Sequence, residues 1–579
     1  MIRLQINHNA VEVEEGATIL EAALACGVYI PTLCHLNLPG IKMVNRVGTC
    51  RVCAVEVEGR RNLLPACSAA AAEGMVVHTN TLRAIRARRR MVELFLSNHP
   101  KDCLTCERNL HCELQALAAE LGVREVKYQG HRSAYPKDTS SYSLIRSPEK
   151  CVLCRRCETM CNEVQTVGVY SAVHRGFNTT IGTAFDLPML ETACTFCGQC
   201  VSVCPTGALT QVDNTAEVWA ALSDKDKFVI VQTAPAVRVA LGEEFGMPAG
   251  TRVTGKMVAA LRRMGFSKVY DTDFAADLTI MEEASELIDR LQNGGRLPML
   301  TSCCPAWVKF IEHQFPTLLD IPSTCKSPHE MFGAVAKIWL AQKLGIDPAK
   351  MVVVSVMPCL AKKYEAARPE LMLNEERGYV DYVISTRELA RMVREAGIRF
   401  ANLPDEDFDD VMGQSTGAAA IFGTTGGVIE AALRTASFWL TGKTMEQMDF
   451  TELRGMDGIK EAVVELNGQE LSIAVAHGLG NARQLLESIR DGKAQYHAIE
   501  IMACPGGCVG GGGQPYHRND MSIISCRAEA IYEEDKSKAL RCSHENPQIQ
   551  ALYAEFLEKP YSRKAHELLH THFTERKRV

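Results

Sequence analysis

Short alternating patterns of apolar and polar residues begin the chain. Apolar residues occupy alternate positions over residues 2–6 and again over 11–13, which predicts two short strands joined by a turn. Thr18 and Glu21 have the spacing of a capping box, so a helix is expected to follow and to stop at Gly27. The start of the chain is therefore predicted to be a small α+β unit.

The next region has the pattern of one helix and then a linker. The helix is predicted over residues 81–97 and carries five arginines, namely Arg83, Arg86, Arg88, Arg89 and Arg90. The simplest interpretation is a solvated helix face, and the functional alternative is a docking surface for an acidic electron carrier. Residues 125–150 are polar and basic and are expected to be a linker.

Strands alternate with helices from residue 227 onward. Four apolar runs have the length of buried strands: Phe228–Gln232, Leu297–Leu300, Val352–Val356 and Ala498–Met502. Each run ends in a loop that contains proline, cysteine or both. Because sites in open α/β sheets form beyond the carboxyl ends of the strands, cysteines from distant segments are expected to meet at one cofactor.

Composition narrows the class of protein. The 579 residues are 46% hydrophobic with a net charge of −6, which gives no indication of nucleic-acid binding. No apolar run has the length of a membrane-spanning helix and no signal sequence precedes the first strand, so a cytoplasmic protein is expected. The 24 cysteines favour metal over disulfides, since most of them lie two or three residues apart in groups of four.

The strongest motif is a repeat of the spacing Cys-x2-Cys-x2-Cys-x3-Cys. Its copies are Cys151, Cys154, Cys157, Cys161 and Cys194, Cys197, Cys200, Cys204, the second followed by Pro205. This is the bacterial ferredoxin pattern, in which the fourth cysteine of each run ligates the other cluster. One [4Fe–4S] cluster is then expected on the first three cysteines of run one plus Cys204. A second is expected on the first three of run two plus Cys161. Structural zinc does not need two interlocked runs.

Two further sets precede this repeat. Cys34, Cys50, Cys53 and Cys67 resemble a plant-type [2Fe–2S] site, although the first gap is longer than usual and zinc remains an alternative. His99, Cys103, Cys106 and Cys112 have a spacing that by itself favours zinc. Beside redox clusters, the second set resembles instead the His-ligated [4Fe–4S] site of multi-cluster hydrogenases and of the large iron–sulfur subunit of respiratory complex I.

Three later motifs separate these two families. They are Thr301–Trp307 (TSCCPAW), Met357–Glu365 (MPCLAKKYE) and Met502–Cys508 (MACPGGC), followed by Gly510–Pro515. In sequence and in order they resemble the signatures of [FeFe]-hydrogenases, and the resemblance covers essentially the whole chain. The Gly-rich stretch lacks the Lys-Ser/Thr of a phosphate loop, and no dinucleotide fingerprint follows a strand.

The resemblance implies a cofactor and its ligands. Cys304, Cys359, Cys504 and Cys508 would hold a [4Fe–4S] cluster, with Cys508 bridging to a diiron unit that carries CO, cyanide and azadithiolate. Lys362 matches a cyanide contact. The residues matching others around the diiron unit are Pro235, Met357, Ser327 and Met502. Ala236 stands where many relatives have serine, and His329 where they often have glutamine, so these two contacts are expected to differ.

The resemblance also implies a proton relay. Cys303, beside a ligand, matches the thiol that delivers the last proton, and Glu283, Glu286, Ser323 and Arg290 match the route from the surface. From the residues alone, two glutamates three apart would be a solvated helix face. Cys26, Cys325, Cys526 and Cys542 are expected to be ordinary thiols, and His566, His570 and His572 a packed or solvated helix end.

The expected architecture is α/β and α+β, with several domains. A plant-ferredoxin-like β-grasp (residues 1–80) and a histidine-plus-three-cysteine cluster loop (81–124) precede a bacterial 2[4Fe–4S] ferredoxin domain (140–212). A two-lobed α/β catalytic domain (220–525), with the cofactor in its cleft, and a C-terminal wrapping segment (526–579) complete it.

The expected function is reversible H2 formation, with electrons relayed by one [2Fe–2S] and three accessory [4Fe–4S] clusters. The expected partners are ferredoxin or flavin-containing NAD(P)H-oxidising subunits, with maturation factors for the diiron unit. A hydrogen sensor and a non-catalytic electron-transfer subunit are the alternatives. The complete relay and the three motifs weigh against them.

Overall fold

The computed structural model describes residues 1–445, 448–466 and 468–577. The first unit contains β1 (Ile2–Ile6), β2 (Asn9–Val13), α1 (Ile19–Ala25), β3 (Leu36–Leu38), β4 (Met43–Asn45), β5 (Ala54–Val57), β6 (Leu64–Pro65) and β7 (Val76–His78). Five strands form one sheet in the order β2-β1-β7-β5-β6, and the hairpin of β3 and β4 lies apart. The capping box of Thr18 and Glu21 is present, and Gly27 has a positive φ directly after the helix, as predicted.

A long helix leads from this unit to the next. It is α2 (Leu82–Asn98), followed after a loop by α3 (Glu113–Glu120). Four of its arginines are exposed, but Arg88 is buried and donates a hydrogen bond to the carbonyl of Ala54. The helix is thus anchored on the first sheet by one arginine and presents the others outward.

The third unit is built of short elements around cysteine loops. Its elements are β8 (Leu144–Arg146), α4 (Arg156–Thr159), β9 (Ser171–Val173), β10 (Thr180–Gly182), α5 (Gln199–Val203) and β11 (Leu209–Gln211). Because β8 pairs antiparallel with β11, residues 144–150 belong to this unit. The prediction that the linker continues to residue 150 is therefore wrong at its end.

The first half of the remaining chain surrounds a four-stranded parallel sheet. Its elements are α6 (Thr215–Ser223), β12 (Phe228–Thr233), α7 (Thr254–Met264), β13 (Lys268–Asp271), α8 (Thr272–Asn293), β14 (Met299–Leu300), α9 (Pro305–Gln314), α10 (Pro328–Val335), α11 (Ala341–Leu344), β15 (Met351–Met357), α12 (Ala361–Glu365), β16 (Tyr382–Ser385) and α13 (Thr386–Glu395). The order is β13-β12-β15-β16. Every pair is parallel, so the loops after β12 and β15 leave the sheet at the same edge.

A second sheet forms the other lobe. It involves α14 (Gly417–Ala420), α15 (Gly427–Thr441), β17 (Ile459–Leu466), β18 (Gln469–His477), α16 (Leu479–Arg490) and β19 (Ala498–Met502). The strand order is β14-β19-β18-β17. β14 and β19 run parallel, so their loops also leave together. β14 is shorter than the predicted run because Pro298 has no N–H to donate to a neighbour.

The C-terminal segment closes the fold with α17 (Ser522–Ser537), α18 (Pro547–Leu552) and α19 (Arg563–Leu569). The predicted boundary between residues 525 and 526 falls inside α17. Apolar residues of α18 and α19 join the same core as the first lobe, which includes β12 and β15. Among the described residues, no helix combines the length and apolarity needed to cross a bilayer.

α8 is the helix that joins the lobes. Residues 272–284 of this helix are buried without interruption, including acidic ones. Its start is fixed by Asp271, whose side chain caps the helix and pairs with the buried Arg238 at 2.5 Å. A charged residue at this depth is stable only with such a partner. From the residues alone, Glu283 and Glu286 would lie on a solvated helix face, but in the structure both are buried.

A candidate active site between the two lobes

One cavity lies where the strands of both lobes end. It has an empty volume of about 750 Å³, and most of its lining is apolar. Its lining includes Pro235 after β12, Cys359 after β15, Cys303 and Cys304 after β14, and Cys504 and Cys508 after β19. In each lobe these loops follow the carboxyl ends of parallel strands, and the loops of both lobes therefore line the same cavity.

The donor set of this cavity fits an iron–sulfur group. Four cysteines from three separate loops face one space, and burial raises the pKa of each thiol. Thiols packed together without a metal would stay protonated and make only weak hydrogen bonds, whereas as thiolates they are the ligands that iron–sulfur clusters use. The set of Cys304, Cys359, Cys504 and Cys508 is the one expected from the sequence.

Some of the other residues predicted around the diiron unit line the cavity and others do not. Pro235, Met357, Met502 and Lys362 line the cavity. Ser327 and Ala236 are not part of the lining: the Ser327 hydroxyl donates to Glu365 Oε2 at 3.0 Å, and the Ala236 carbonyl accepts from Gln514. Sequence reasoning did not identify the apolar wall, which includes Thr272, Ala276 and Phe422. No spacing signal connects those positions.

Glu365 is a buried hub that positions two side chains at the cavity. Its Oε2 atom accepts hydrogen bonds from Lys362 Nζ at 2.7 Å and lies 2.9 Å from His329 Nδ1. Lys362 also donates to the Cys303 carbonyl at 3.2 Å. These cationic neighbours lower the pKa of the Glu365 carboxyl despite its burial, so the hub stays ionised. It was not predicted, although it closes the MPCLAKKYE motif.

The predicted relay residues form a line along α8. Arg290 pairs with Glu286 Oε1 at 2.5 Å, and the Ser323 hydroxyl donates to Glu286 Oε2 at 2.9 Å. Glu283 is fully buried, beside the Ser302 backbone and the Ser323 hydroxyl, without a hydrogen bond of ordinary geometry. Cys303 retains accessible surface on the cavity that it lines. The carboxyl of Glu283 lies between Cys303, at the cavity end of this line, and Glu286 with Arg290, at its other end.

Burial dominates the electrostatics of this line. It raises the pKa of Glu283 to about 8, with a further increase from Glu286, so the carboxyl carries a proton at neutral pH. Burial also raises the pKa of the Cys303 thiol well above its ordinary value, and ionisation of Glu283 would raise it further. Both groups therefore hold exchangeable protons where bulk water is excluded.

We expect Glu283→Gln to change how stability depends on pH. The folded pKa near 8 lies above the ordinary 4.5, so the wild-type contribution is present below pH 4.5 and is lost as the pH rises toward 8. Glutamine copies the protonated form and does not ionise. The variant should therefore gain stability relative to wild type between pH 5 and 8, on the order of 3 kcal/mol.

The measurement is the unfolding midpoint of both proteins at several pH values. Glu125→Gln, at an exposed glutamate, is the matched control and should show no such trend. A constant difference between Glu283→Gln and wild type across this range would mean that Glu283 is ionised in the folded protein.

Two smaller cavities lie in the third unit. One is lined by Cys151, Cys154, Cys157 and Cys204, and the other by Cys161, Cys194, Cys197 and Cys200. Each thus takes three cysteines from one run and the fourth from the other run, which is the interlocked combination expected from the repeat.

The first unit holds the other sulfur set together. Cys34, Cys50, Cys53 and Cys67 are all buried. Cys50 and Cys67 contribute to lowering the pKa of the Cys34 thiol, and Cys67 to lowering that of the Cys53 thiol, so the four side chains lie close together. His99 directly follows α2, and burial lowers the pKa of its ring to about 4, which keeps the imidazole neutral. A neutral ring nitrogen is the form that binds metal.

Direct contacts connect these sulfur sites. Asn45 Nδ2 donates to the carbonyls of Cys34 and Cys154, at 2.6 and 3.0 Å. Arg108, between the ligand candidates Cys106 and Cys112, donates to the Cys204 carbonyl at 2.7 Å. Both N-terminal sites therefore adjoin the same cavity of the third unit.

A close contact at Gly198 connects the second cysteine cavity of the third unit with the large cavity. Gly198, directly after Cys197, has φ +77°, and a Cβ there would lie 3.1 Å from the Gly512 Cα and 2.9 Å from Leu360. Gly512 follows Cys508 by four residues and Leu360 follows Cys359. Only glycine combines this conformation with so close an approach, so the two sulfur sites are separated by little more than backbone.

Comparison with known families covers almost all of this architecture. A family model described as "Iron only hydrogenase large subunit, C-terminal domain" matches residues 227–512, and "Iron hydrogenase small subunit" matches 521–576. A 2Fe-2S iron-sulfur cluster binding domain matches residues 1–82. The NADH-ubiquinone oxidoreductase-G iron-sulfur binding region matches 88–127, and a 4Fe-4S dicluster domain 144–208.

Individual relatives agree with the family models. The chain is 58% identical to the NADP-reducing hydrogenase subunit HndD of Solidesulfovibrio fructosivorans, with 100% of both chains covered. It is 39% identical to iron hydrogenase 1 of Clostridium pasteurianum over 98% of both chains. The solved apo [FeFe]-hydrogenase HydA1 from Chlamydomonas reinhardtii matches with 43% identity and a TM-score of 0.57, covering 63% of this chain and 99% of that one.

Proposed function

The chain belongs to the iron-only hydrogenases, and we propose which of its residues bind the cofactors, carry protons and receive electrons. It catalyses the interconversion of H2 with protons and electrons, and it has accessory 2Fe-2S and 4Fe-4S domains. The observation that carries the assignment is the meeting of four cysteines and Cys303 at one cavity.

Cys304, Cys359, Cys504 and Cys508 would hold the catalytic cofactor in the large cavity. When bound, the diiron group and its attached four-iron cluster supply the redox chemistry that joins two protons and two electrons in H2. Lys362, oriented by Glu365, is placed to donate a hydrogen bond to an anionic ligand in the cavity. The apolar wall keeps bulk water away from the reacting centre.

Protons move between the surface and the cavity along α8. The Cys303 thiol is placed to give or take a proton at the cavity, and Glu283 would exchange one with Cys303. The Ser323 hydroxyl connects Glu283 with Glu286, which Arg290 holds in place near the surface. Burial raises the pKa of both Glu283 and Cys303, as expected for two relay groups that lie away from bulk water.

Electrons follow the contacts between the sulfur sites. We assign a [2Fe–2S] cluster to the four cysteines of the first unit and a [4Fe–4S] cluster to His99, Cys103, Cys106 and Cys112. Two more clusters occupy the interlocked cavities of the third unit. Since both N-terminal sites adjoin the first of these, electrons can arrive by two branches that join before the Gly198 contact.

The exposed arginines of α2 suit an acidic redox partner. Arg86 and Arg90 are exposed and form no ion pair with the described residues. A cluster of like charges next to an electron site attracts a carrier or subunit of opposite charge. We therefore propose that a flavin-containing NADP(H)-oxidising subunit or a ferredoxin docks here, in line with the name of the relative NADP-reducing hydrogenase subunit.

Charge reversal tests this docking surface. For Arg86→Glu/Arg90→Glu, we expect kcat/KM for reduced ferredoxin to fall about tenfold at low salt, with the difference shrinking at high salt. A small viologen donor should be unaffected. Arg490→Glu/Lys493→Glu, on the second lobe, makes the same charge change at exposed positions and is the matched control. Equal effects of both pairs would remove the support for this surface.

A further inference from the structure

A buried histidine of the C-terminal segment contacts the proton relay from outside it. His570 directly follows α19, and its backbone pairs with that of Cys325 in an isolated antiparallel bridge. Its ring is bonded at both nitrogens: Nδ1 lies 2.7 Å from the Thr324 hydroxyl and Nε2 lies 3.1 Å from Glu282 Oε2. An imidazole held between a hydroxyl and a carboxylate has the environment of a proton-exchanging group.

Thr324 is the link between this histidine and the relay. Its hydroxyl lies 3.2 Å from Glu286 Oε2 as well as 2.7 Å from His570 Nδ1. A hydroxyl has one hydrogen and two lone pairs, so it donates to one neighbour while accepting from the other. The backbone N–H of Thr324 also donates to Glu286 at 3.1 Å, which keeps the carboxylate in reach whichever way the hydroxyl points.

Glu282 completes the environment of the imidazole. The Tyr553 hydroxyl donates to Glu282 Oε1, and the Tyr561 N–H donates to Oε2 at 3.0 Å. Two donors and a fully buried position hold this carboxylate so that it accepts the Nε2–H of His570. The carboxylate thereby fixes the orientation of the ring, with Nε2–H toward Glu282 and Nδ1 toward Thr324.

Solvent reaches this arrangement through a surface cavity. The cavity has an empty volume of about 720 Å³, and its lining includes Thr324, Thr571, Asp320 and His572. Asp320 and His572 are exposed at its rim, whereas His570 is only 5% exposed. Water in the cavity can therefore exchange protons beside Thr324 without passing Arg290.

We propose that His570 and Thr324 form a second proton branch that joins the relay at Glu286. In the direction of H2 formation, the Nδ1–H bond of protonated His570 breaks as its proton passes to the Thr324 oxygen. The original Thr324 proton passes to the Glu286 carboxylate. One proton has then moved and Thr324 is again a hydroxyl. A hydronium ion in the cavity next gives a proton to the Thr324 oxygen as the Thr324 hydrogen passes to the bare Nδ1 atom, which leaves water and reloads His570. Oxidation of H2 runs the steps in reverse. This branch depends on the proposed role of Glu286.

Several titratable groups surround His570. Glu282 and Glu286 face it from α8, Cys325 lies 4.0 Å from Nδ1, and Tyr561 packs edge-on. His566, one turn earlier, stacks on the ring at 4.4 Å between centroids. The side chain of His566 contacts His570 through this stacking, so a substitution that keeps a ring at position 566 provides a control.

Thr324→Val and Thr324→Ser give the first test. Valine has the shape of threonine without the hydroxyl, while serine retains the hydroxyl, and both keep the backbone N–H. We expect Thr324→Val to lower H2 evolution and H2 oxidation about fivefold or more, with a larger solvent isotope effect, and Thr324→Ser to recover most of the rate. Equal rates for valine and serine would overturn the proposal.

Chemical rescue gives the second test. His570→Gly should be slow, and added imidazole should raise its rate, whereas pyrazole, which has the same shape but is not protonated at neutral pH, should not. His566→Phe keeps the stacked ring and should leave the rate unchanged. Rescue by both compounds, or by neither, would show that His570 only supports the fold.

A readout other than turnover separates this proposal from the one on which it depends. Difference infrared spectroscopy can follow the carboxyl band of Glu286, which is identified by its loss in Glu286→Gln. After flash reduction, we expect this band to return more slowly in Thr324→Val than in wild type, because Glu286 is reprotonated more slowly. If Glu286→Gln retains wild-type turnover, the relay assignment fails and this branch with it. If Glu286→Gln is inactive while both Thr324→Val and the band recovery match wild type, only the branch fails.

Discussion

Cys303→Ala is expected to lower H2 turnover in both directions by about 10³-fold, which is the size of effect that general acid–base groups produce. The thiol is the relay group that lines the cavity, and alanine has no proton to exchange. Because Cys303 is not among the proposed ligands, the infrared bands of the CO and cyanide ligands should remain. The measurement is H2 evolution from reduced viologen, with infrared spectra of the same samples.

The control for Cys303→Ala is Cys526→Ala, which removes an exposed thiol with no assigned role and should not change turnover. Near-normal turnover of Cys303→Ala with an intact cofactor would show that protons reach the cavity by another path. Inactivity together with lost infrared bands would instead place Cys303 among the groups that hold the cofactor.

Cys359→Ala is expected to abolish turnover altogether. This cysteine is the only proposed ligand supplied by the loop after β15, so its loss leaves the four-iron cluster with three thiolates. The diiron group is attached through that cluster and should be lost with it. We expect about six fewer iron atoms per chain, with the accessory clusters still visible by electron paramagnetic resonance.

Cys542→Ala is the matched control for Cys359→Ala, since Cys542 is also buried but lines none of the cluster cavities described for residues 1–445, 448–466 and 468–577. Its iron content and turnover should match wild type. Full iron content and turnover in Cys359→Ala would contradict the ligand assignment. Loss of the accessory clusters as well would show that Cys359 stabilises the whole fold.

Sequence spacing predicted the parts of this protein in which chemistry is local. Each four-cysteine run places three ligands of one cluster within a few residues, because a cluster is small and one short loop can surround most of it. The three C-terminal motifs were instead identified by their resemblance to those of [FeFe]-hydrogenases, and their cysteines come from three separate loops. Three of the four predicted apolar runs gave strands β12, β15 and β19 with boundaries within one residue, whereas the run over 297–300 gave β14, which starts two residues later. A buried strand has a simple signal, since both faces are apolar.

The predictions were least complete where side chains meet from distant segments. Ser327 and Ala236 were expected near the diiron unit but do not appear among the residues that line the cavity, and the structure shows the Ser327 hydroxyl bonded to Glu365 and the Ala236 carbonyl to Gln514. The hub of Glu365 and the wall at Phe422 were not predicted at all. These contacts are set by the packing of one lobe on the other, and no periodicity within a segment encodes them.

By itself, the sequence determined the kind of cofactor this protein binds, because ligand type and spacing follow from the chemistry of iron and sulfur. Tertiary structure alone decided the surroundings of the cofactor. It buried α8 so that Glu283 keeps a proton at neutral pH, and it brought His570 within reach of Thr324 across 246 positions of the chain. The physical reason is that a pKa and a proton path depend on burial and on neighbours in space, which only the packed lobes supply.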